Sequence, residues 1–460
     1  MFNSVIRDIS AIASLDRTVG SNGYSEAANY IFDRLSALAS VQVRRVTIDT
    51  TDWHGTWKFP DTIRHWMDDR NDKNIHYNLN SGVQVIEARI PGRSKKELLL
   101  VTHFCHPIPG ANDNASGVAG QLAICDHYST HAPDLTLVCL FTAEYWGTIG
   151  WAVDYDFKDT LGAISLDMLG GGCKKTGSSL LVDEMPYHQS SGIDLILFAN
   201  LNSNIPSTKY RMIGERVNSN NIQLVRGIGG SDHSILNDFS FSVPSTCLNT
   251  FPDRYYHTAD DTVDKIDIDS VSTFLRATIQ LIDSYENDKF RPTTFQLLRW
   301  FVSNIECVRC WSDIDSEEID LLVNYLVYIY HKKSGDDTLD ESGMLYDLAD
   351  NLLRKVSKKS YSELALMTPK KYYKTYVGPI YRANVHSKLS ESTNDQLNTA
   401  YQMDKLVYVY IDAALNLIYS GVPLDHAHIL ASFYTKTKFD KSLITRYIKD
   451  LSELGYIQCA

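Results

Sequence analysis

The sequence predicts an α/β fold, with a mixed, mostly parallel sheet flanked by helices and a mainly helical C-terminal region after it. Apolar strand segments alternate with amphipathic helical segments in the first part of the chain, which is the pattern of a sheet covered on both faces. One segment, Glu97–His103, carries a continuous apolar run, as expected of a buried strand. The composition shifts near Tyr285–Pro292, and from there the pattern is mostly helical.

Two helices are predicted at the start of the chain, over residues 1–16 and 23–39. Ile6, Ile9 and Ile12 share one face of the first, and the second has a similar apolar face. Apolar runs bounded by turn residues then predict strands and helices in alternation. The strands are expected at Val41–Ile48, Val83–Ala88, Glu97–His103, Leu135–Thr142 and Gly162–Leu166, and the helices at Gly117–Tyr128 and from Gly147 onward.

The sequence predicts three domains. Residues 1–290 carry the candidate chemistry and include an irregular, polar stretch at 53–80, interpreted as an insertion or a lid. Residues 291–420 are predicted to be a helical region. Residues 421–460 have the pattern of a winged helix, with Asp440 as the expected N-cap of a helix that has one apolar face.

The charge of this tail argues against binding to DNA. Residues 421–460 hold five Lys or Arg against four Asp or Glu, and the whole chain has a formal net charge of -12. A nucleic-acid surface needs clustered positive charge. We therefore expect the C-terminal region to pack on the catalytic domain or to mediate self-association, and not to bind nucleic acid.

Other features predict a cytoplasmic protein with no membrane partner. No apolar run approaches the ~18–20 residues that a membrane helix needs, and the amphipathic start lacks the features of a secretory signal. Eight cysteines in 460 residues do not make a disulfide framework, so we expect reduced thiols. Cys307 and Cys310 form a lone CxxC, interpreted as helix positions and not as a redox or zinc pair.

Candidate metal ligands lie at the ends of predicted strands or in turns. His103, with His106 close behind it, follows the Glu97–His103 run, and Asp167 follows another strand. Zinc is bound by His nitrogens and carboxylate oxygens, and one carboxylate can bridge two ions. The remaining requirement is a base that takes a proton from water, and Glu144 supplies a carboxylate after a hydrophobic strand. The other two candidate ligands are Asp113, in an Asn-Asp-Asn-Ala-Ser-Gly run, and His257, before an Asp-Asp-Thr run.

Taken in order, these segments resemble the co-catalytic zinc aminopeptidases of peptidase clan MH, whose relatives include glutaminyl cyclases. The resemblance covers about residues 1–285 and is most specific around Asp113, which stands where the family has a carboxylate that bridges two metals. Glu144 stands at the general base, in an Ala-Glu-x-x-Gly setting. His103, Asp167 and His257 stand at further metal ligands.

The resemblance also includes a loop that contacts the substrate. Asp232 and His233, in a Ser-Asp-His run, stand where the family has a substrate-pocket loop. The paired histidines His103 and His106, together with the tail, resemble more closely a little-characterised bacterial branch of aminopeptidase-like proteins.

The sequence departs from the family pattern at two positions. The family has a second Glu directly after the base, as a ligand of the second metal, and this chain has Tyr145 there. The family also has an Asp two residues after the first His, where it orients the ring, and this chain has Cys105. Either His106 or Tyr145 is a candidate metal ligand or supporting residue at this altered site.

The resemblance implies a zinc-dependent hydrolase with one or two ions. The expected reaction is that of an aminopeptidase, which removes the N-terminal residue of a peptide by means of metal-activated water, with Glu144 as the base. Two alternatives remain open: a metal-dependent amide hydrolase or acyl transferase acting on a non-peptide substrate, and a non-catalytic zinc-binding scaffold. The residue at 145 favours the scaffold, and the retention of Glu144 argues against it.

Overall fold

The structure is a computed structural model. The predicted insertion or lid at 53–80 lies outside the described residues, apart from Thr56 and Trp57. The residues that the structure describes are 2–48, 56–57, 83–107, 109–204, 207–209, 216–218, 221–227, 229–311, 314–335, 341–353 and 372–459.

A twisted sheet of eight strands forms the centre of the N-terminal part, in the order β1-β2-β4-β3-β5-β10-β6-β9. Four of the neighbouring pairs are parallel (β4 with β3, β3 with β5, β5 with β10, β6 with β9) and the others are antiparallel. The predicted mixed, mostly parallel sheet is therefore confirmed. The strands are β1 (Gln42–Ile48), β2 (Val83–Ile90), β3 (Ser94–His103), β4 (Leu135–Thr142), β5 (Thr160–Leu166), β6 (Ser179–Glu184), β9 (Ile222–Arg226) and β10 (Ser245–Phe251), with β7 (Ser207–Lys209) and β8 (Arg216–Asn218) pairing separately.

Helices cover both faces of this sheet. Alternate residues of β3 point to opposite sides, so Leu98 and Leu100 enter the core under one helical layer while Leu99 and Val101 enter the other. The predicted flanking helices are thus confirmed. On the first side lie α1 (Phe2–Ala13), α2 (Asn22–Ser36), α3 (Gly117–Tyr128), α5 (Ile193–Asn204) and α7 (Ile268–Asp283), and on the second α4 (Trp146–Ala152) and α6 (His233–Leu236).

The C-terminal part is mainly helical and has its own apolar core. The tail strand β12 (Ile457–Cys459) pairs antiparallel with β11 (Tyr372–Lys374), which comes from well before the tail. The winged-helix interpretation therefore stays a prediction, although Asp440 is the N-cap that the sequence predicted. The helices are α8 (Thr294–Cys310), α9 (Ser316–Ser334), α10 (Ser342–Leu353), α11 (Arg382–Val385), α12 (Glu391–Met403), α13 (Val407–Tyr419), α14 (Leu424–Thr435) and α15 (Lys441–Glu453).

Polar and aromatic contacts join this helical part to the sheet. Trp300 on α8 donates from Nε1 to the Glu184 carboxylate at the end of β6 (2.6 Å). Arg226, at the end of β9, lies over the Phe433 ring at 4.5 Å and donates to the main-chain oxygen of Phe433. The Tyr434 hydroxyl donates to the carbonyl of Gly227 (2.9 Å). The C-terminal helices therefore pack directly beside the ends of β6 and β9.

Two expectations from composition can be compared with the structure. All eight cysteines lie in its described part, and each is unpaired. Within that same part, no helix combines the length and the apolar character that crossing a membrane requires.

Candidate active site

Three neighbouring parallel strands end at the same edge of the sheet and carry three candidate residues. Val101 on β3 pairs with Ser165 on β5, so His103 and Asp167 both lie two residues beyond this pair. On the adjacent strand β4, Thr142 pairs with His103, and Glu144 lies two residues after Thr142. Nitrogen and oxygen atoms of His103, Glu144 and Asp167 lie within 4.8 Å of one another. The carboxyl edge of a parallel sheet is where such sites form.

A main-chain carbonyl orients the His103 ring. His103 Nδ1 lies 3.1 Å from the carbonyl oxygen of Cys105. Because a carbonyl can only accept, Nδ1 carries the proton and Nε2 presents its lone pair to the site, as in a metal-ligating histidine. The Cys105 side chain has a different contact, since its sulfur receives the N–H of Glu144 (3.1 Å). The main chain at Cys105 therefore supplies the ring contact for which the family uses an Asp.

The two asparagines beside Asp113 fix its loop to the loop after β5. Asn114 donates from Nδ2 to the carbonyl of Leu166 (3.0 Å) and accepts the N–H of Met168 (3.0 Å) at Oδ1. Asn112 accepts the N–H of Gly170 (2.8 Å). This double attachment explains why amides flank the carboxylate in the motif: each amide donates to one group and accepts from another.

A second carboxylate, not recognised from the sequence as functional, holds the same loop from the other side. Asp261 receives the N–H groups of Asn112 (2.8 Å) and Asp113 (3.0 Å) with its two oxygens. The signal for it was its place in the Asp-Asp-Thr run shortly after His257. Asp261 therefore positions Asp113 through the main chain.

Arg17 is a further residue whose function was missed. Its side chain is fully buried and donates to the carbonyls of Phe104 (2.8 Å) and Gly110 (2.9 Å), one in each ligand-bearing loop. Its main chain exchanges two hydrogen bonds with His106 (2.9 and 3.1 Å). The signal for Arg17 was its place in a turn-rich segment, within the part of the chain that resembles the family's entry region. Arg17 thus holds the two loops against each other.

The carboxylate of Asp113 lies among three imidazoles. One oxygen is 3.6 Å from His103 Nε2 and 3.5 Å from His106 Nδ1, and the other is 3.2 Å from His257 Nε2. Burial opposes the charge of Asp113, but these imidazoles outweigh it and hold the pKa of the carboxyl below its usual value. Burial lowers the pKa of His106 to about 4, which keeps that ring neutral. Asp113 therefore offers its two oxygens to two separate positions.

The His103, Asp113 and Asp167 atoms fit a bound cation better than they fit one another. Asp167 Oδ1 is buried without a hydrogen-bond partner and lies 3.3 Å from His103 Nε2. Charge-assisted hydrogen bonds are shorter, at about 2.7–2.9 Å. Two ligands bound tetrahedrally to zinc at ~2.0–2.1 Å lie about 3.3–3.4 Å apart. The donor set and its spacing therefore fit a zinc ion.

Glu144 lies partly exposed beside these atoms, in a setting suited to a base. Burial raises the pKa of Glu144 to about 8, with Asp167 adding to the effect and His103 opposing it. A general base works best with a pKa near the working pH. Glu144 is therefore suited to accept and return a proton near neutral pH.

Tyr145 has a positive φ of 60° and its ring packs on aromatic neighbours. The ring centroid lies 5.5 Å from that of Trp57, which in turn lies 4.8 Å from that of Tyr381. The N–H of Tyr145 donates to Asp232 Oδ1 (2.8 Å). Asp232 thus supports the turn that carries Glu144, and Tyr145 contributes to an aromatic wall.

A cavity of about 550 Å³ opens beside this wall. His233 and Tyr145 line it from the catalytic part, and Tyr381 and Asp412 line it from the C-terminal part. Pockets for small ligands commonly measure roughly 300–1,000 Å³. The C-terminal helices thus form one side of a cavity that Tyr145, the residue after Glu144, lines from the other side.

Comparisons with known proteins found one matching family model and several solved structures of similar fold. Residues 85–282 match the model of peptidase family M28, whereas no curated protein matches the sequence. Similar solved structures include a leucine aminopeptidase precursor from Bacteroides thetaiotaomicron (18% identity, TM-score 0.46, 62% of this chain and 98% of that one). A glutaminyl cyclase from the same organism is 17% identical, with a TM-score of 0.45 over 62% and 98% of the chains. A zinc aminopeptidase from Bacillus subtilis is 12% identical, with a TM-score of 0.47 over 63% and 97%.

The matched region contains every residue that converges on the candidate site. His103, Asp113, Glu144, Asp167 and His257 all lie within it, in the order that the motifs predicted. The match of residues 85–282 to the model of peptidase family M28 supports a hydrolase of the metallopeptidase type.

Proposed function

We propose that the protein is a zinc-dependent aminopeptidase. The observation that carries the proposal is the spacing of His103 Nε2 and the unpartnered Asp167 Oδ1, 3.3 Å apart and beside Glu144. His103, Asp113 and Asp167 would hold one zinc ion. His257, on the other side of Asp113, would hold a second with His106, whose neutral ring replaces the carboxylate that Tyr145 lacks.

The chemistry divides between the ion and the protein. Zinc, when bound, acts as a Lewis acid that polarises the scissile carbonyl and acidifies water. Glu144 takes a proton from water as the water oxygen bonds to the carbonyl carbon. The same carboxyl then delivers this proton to the leaving nitrogen as the C–N bond breaks, which returns Glu144 to its ionised form.

The cavity supports a substrate residue beside the site. Tyr145 and Trp57 give it an aromatic wall, and Asp412 gives it a carboxylate on the side of the C-terminal part. A volume of about 550 Å³ accommodates one amino-acid residue and excludes a folded chain. The N-terminal residue of a peptide would therefore occupy it.

The test is hydrolysis of a panel of aminoacyl p-nitroanilides by the zinc-loaded, full-length protein. Each substrate is paired with its Nα-acetylated form, because an aminopeptidase requires the free amine. We expect cleavage of free-amine substrates, much slower cleavage of acetylated ones, and loss of both rates in Glu144→Gln. Equal rates on the paired substrates would instead indicate a general amide hydrolase. No cleavage of any substrate by protein that holds zinc would contradict the proposal.

A further inference from the structure

A second cluster of ligand-type side chains lies on the sheet beside β5, the strand that leads to Asp167. It consists of Asp183 on β6, Cys247 on β10 and His233 at the start of α6. One atom from each, an oxygen, the sulfur and a ring nitrogen, lies within 4.8 Å of the other two. All three residues are at most 4% exposed. The proposed aminopeptidase reaction uses neither Asp183 nor Cys247.

The sheet register explains how these residues meet. Leu248 on β10 pairs antiparallel with Val182 on β6, so Cys247 and Asp183 are the next pair across the two strands. Cross-strand partners place their side chains on the same face of the sheet. His233 lies over this same face of the sheet. The loop before it is held against β5 by a contact of 3.2 Å between the hydroxyls of Ser231 and Ser165.

The contacts of these groups leave room for an ion. His233 Nε2 lies 3.4 Å from Asp183 Oδ2, the spacing of about 3.3–3.4 Å for two tetrahedral zinc ligands. The other ring nitrogen, Nδ1, is buried without a hydrogen-bond partner. As a donor, the Cys247 thiol makes a long contact of 3.8 Å to the Leu248 carbonyl.

We propose that Asp183, His233 and Cys247 form a separate binding site for a thiophilic divalent cation, zinc above all. Carboxylate, imidazole and thiolate are the ligand types that zinc accepts together. Water or a small ligand in the cavity that His233 lines would complete the coordination. This proposal does not rest on the proposed peptidase activity.

The charges of the cluster balance around such an ion. A dication with one carboxylate and one thiolate has no net charge, so the filled site avoids the cost of a buried ionic charge. Within the described part of the chain, no Lys or Arg forms an ion pair with Asp183 that would neutralise its charge. Burial lowers the pKa of His233 to about 4, which leaves the ring neutral with a free lone pair. Binding releases the protons of the thiol and of any protonated carboxyl to solvent.

Neighbouring side chains support the ligand atoms. Asn249 donates from Nδ2 to Asp183 Oδ1 (3.2 Å), which leaves Oδ2 facing His233. Burial raises the pKa of the Cys247 thiol, while hydrogen bonds from Asn249 and Ser165 act in the opposite direction. Such outer contacts are what orient ligands in known metal sites.

Cobalt substitution tests this site by a signal that does not depend on catalysis. A thiolate bound to Co²⁺ gives a charge-transfer absorption in the near ultraviolet, whereas nitrogen and oxygen ligands do not. The experiment uses full-length protein with Cys307→Ser and Cys310→Ser, which removes the CxxC pair as a competing thiolate site. We expect the band on loading with Co²⁺, and zinc analysis should find one equivalent more than in the same protein with Cys247→Ser.

The matched control is Cys105→Ser, because Cys105 lies beside His103 and is the sulfur nearest to the candidate active site. The band should persist in Cys105→Ser, disappear in Cys247→Ser and require more Co²⁺ in Asp183→Asn. If Cys247→Ser does not fold, the spectra of the parent protein, Cys105→Ser and Asp183→Asn decide the question. Absence of the band in the parent protein, its loss in Cys105→Ser, or an unchanged titration of Asp183→Asn would overturn the proposal.

Discussion

His103 Nε2 lies 3.3 Å from Asp167 Oδ1, and the two residues follow adjacent parallel strands. The oxygen is buried and has no hydrogen-bond partner. A direct charge-assisted bond would shorten the distance to about 2.7–2.9 Å. The separation instead equals that of two ligands on one tetrahedral ion, as expected if both side chains bind zinc.

Glu144→Gln should separate catalysis from metal binding. The amide keeps the size of the side chain but cannot accept the proton, so kcat should fall by ~10²–10⁴-fold. Zinc content, measured by atomic absorption on the same preparation, should not change. A variant that keeps its rate would remove Glu144 from the mechanism, and one that loses zinc would make Glu144 a ligand.

The metal-free protein should lose stability as the pH rises above about 6.5. Burial raises the pKa of Glu144 from 4.5 to about 8 and that of Asp183 from 3.8 to about 7. Up to these raised values the folded state holds protons that the unfolded state has released, so these two groups make the free energy of unfolding fall with increasing pH. Urea unfolding of metal-free protein between about pH 6.5 and pH 8 should show this decline, because the buried His106 and His233 rings are neutral in both states there. The decline should be smaller in Glu144→Gln, and an identical slope in that variant would contradict the assignment.

His106→Ala and Tyr145→Phe should differ in zinc content. His106 Nδ1 lies 3.5 Å from Asp113 and its ring centroid is 5.5 Å from that of His257, so the alanine variant should lose about one equivalent of zinc. The phenol of Tyr145 packs in an aromatic wall, so its removal should leave the metal in place. Both variants would be dialysed against buffered zinc and analysed together. Loss of zinc in Tyr145→Phe alone would reverse the two roles.

Arg17→Lys should destabilise the whole site. A lysine cannot reach all the carbonyls that the guanidinium contacts in the two ligand loops, and it leaves buried acceptors unpaired. The free energy of unfolding should fall by about 3 kcal/mol, the scale for one or two unpaired buried groups. Arg93→Lys is the control, because that side chain is 77% exposed and should change stability by less than ~0.5 kcal/mol. Equal effects of the two changes would remove Arg17 from its structural role.

The sequence predicted what depends on local pattern. The apolar runs around β3 and β4 are long enough to identify buried strands, and helix α3 begins and ends at the predicted residues Gly117 and Tyr128. Gly117 is also where the motif demands glycine, since a Cβ there would meet the Asn114 side chain at 2.3 Å. Candidate ligands found next to such strands, His103 foremost, could then be placed at the ends of predicted strands.

What the sequence did not reveal depends on contacts between distant segments. Asp261 lies almost 150 positions from the main-chain groups that it holds, and its place in the Asp-Asp-Thr run does not indicate which groups those are. Arg17 donates hydrogen bonds to main-chain carbonyls, and every residue type has such a carbonyl, so the sequence does not identify these partners. The contribution of Tyr381 to the cavity depends on how the C-terminal helices dock on the sheet.

The most direct test of the account is anomalous diffraction at the zinc edge from crystals of the zinc-loaded, full-length protein. The account predicts a peak about 2.0–2.2 Å from His103 Nε2 and from one carboxylate oxygen each of Asp113 and Asp167. Glu144 should lie beside this peak without binding it. A map with no peak among these three side chains, in crystals that hold zinc elsewhere, would contradict the claim that they form the metal centre of a hydrolase.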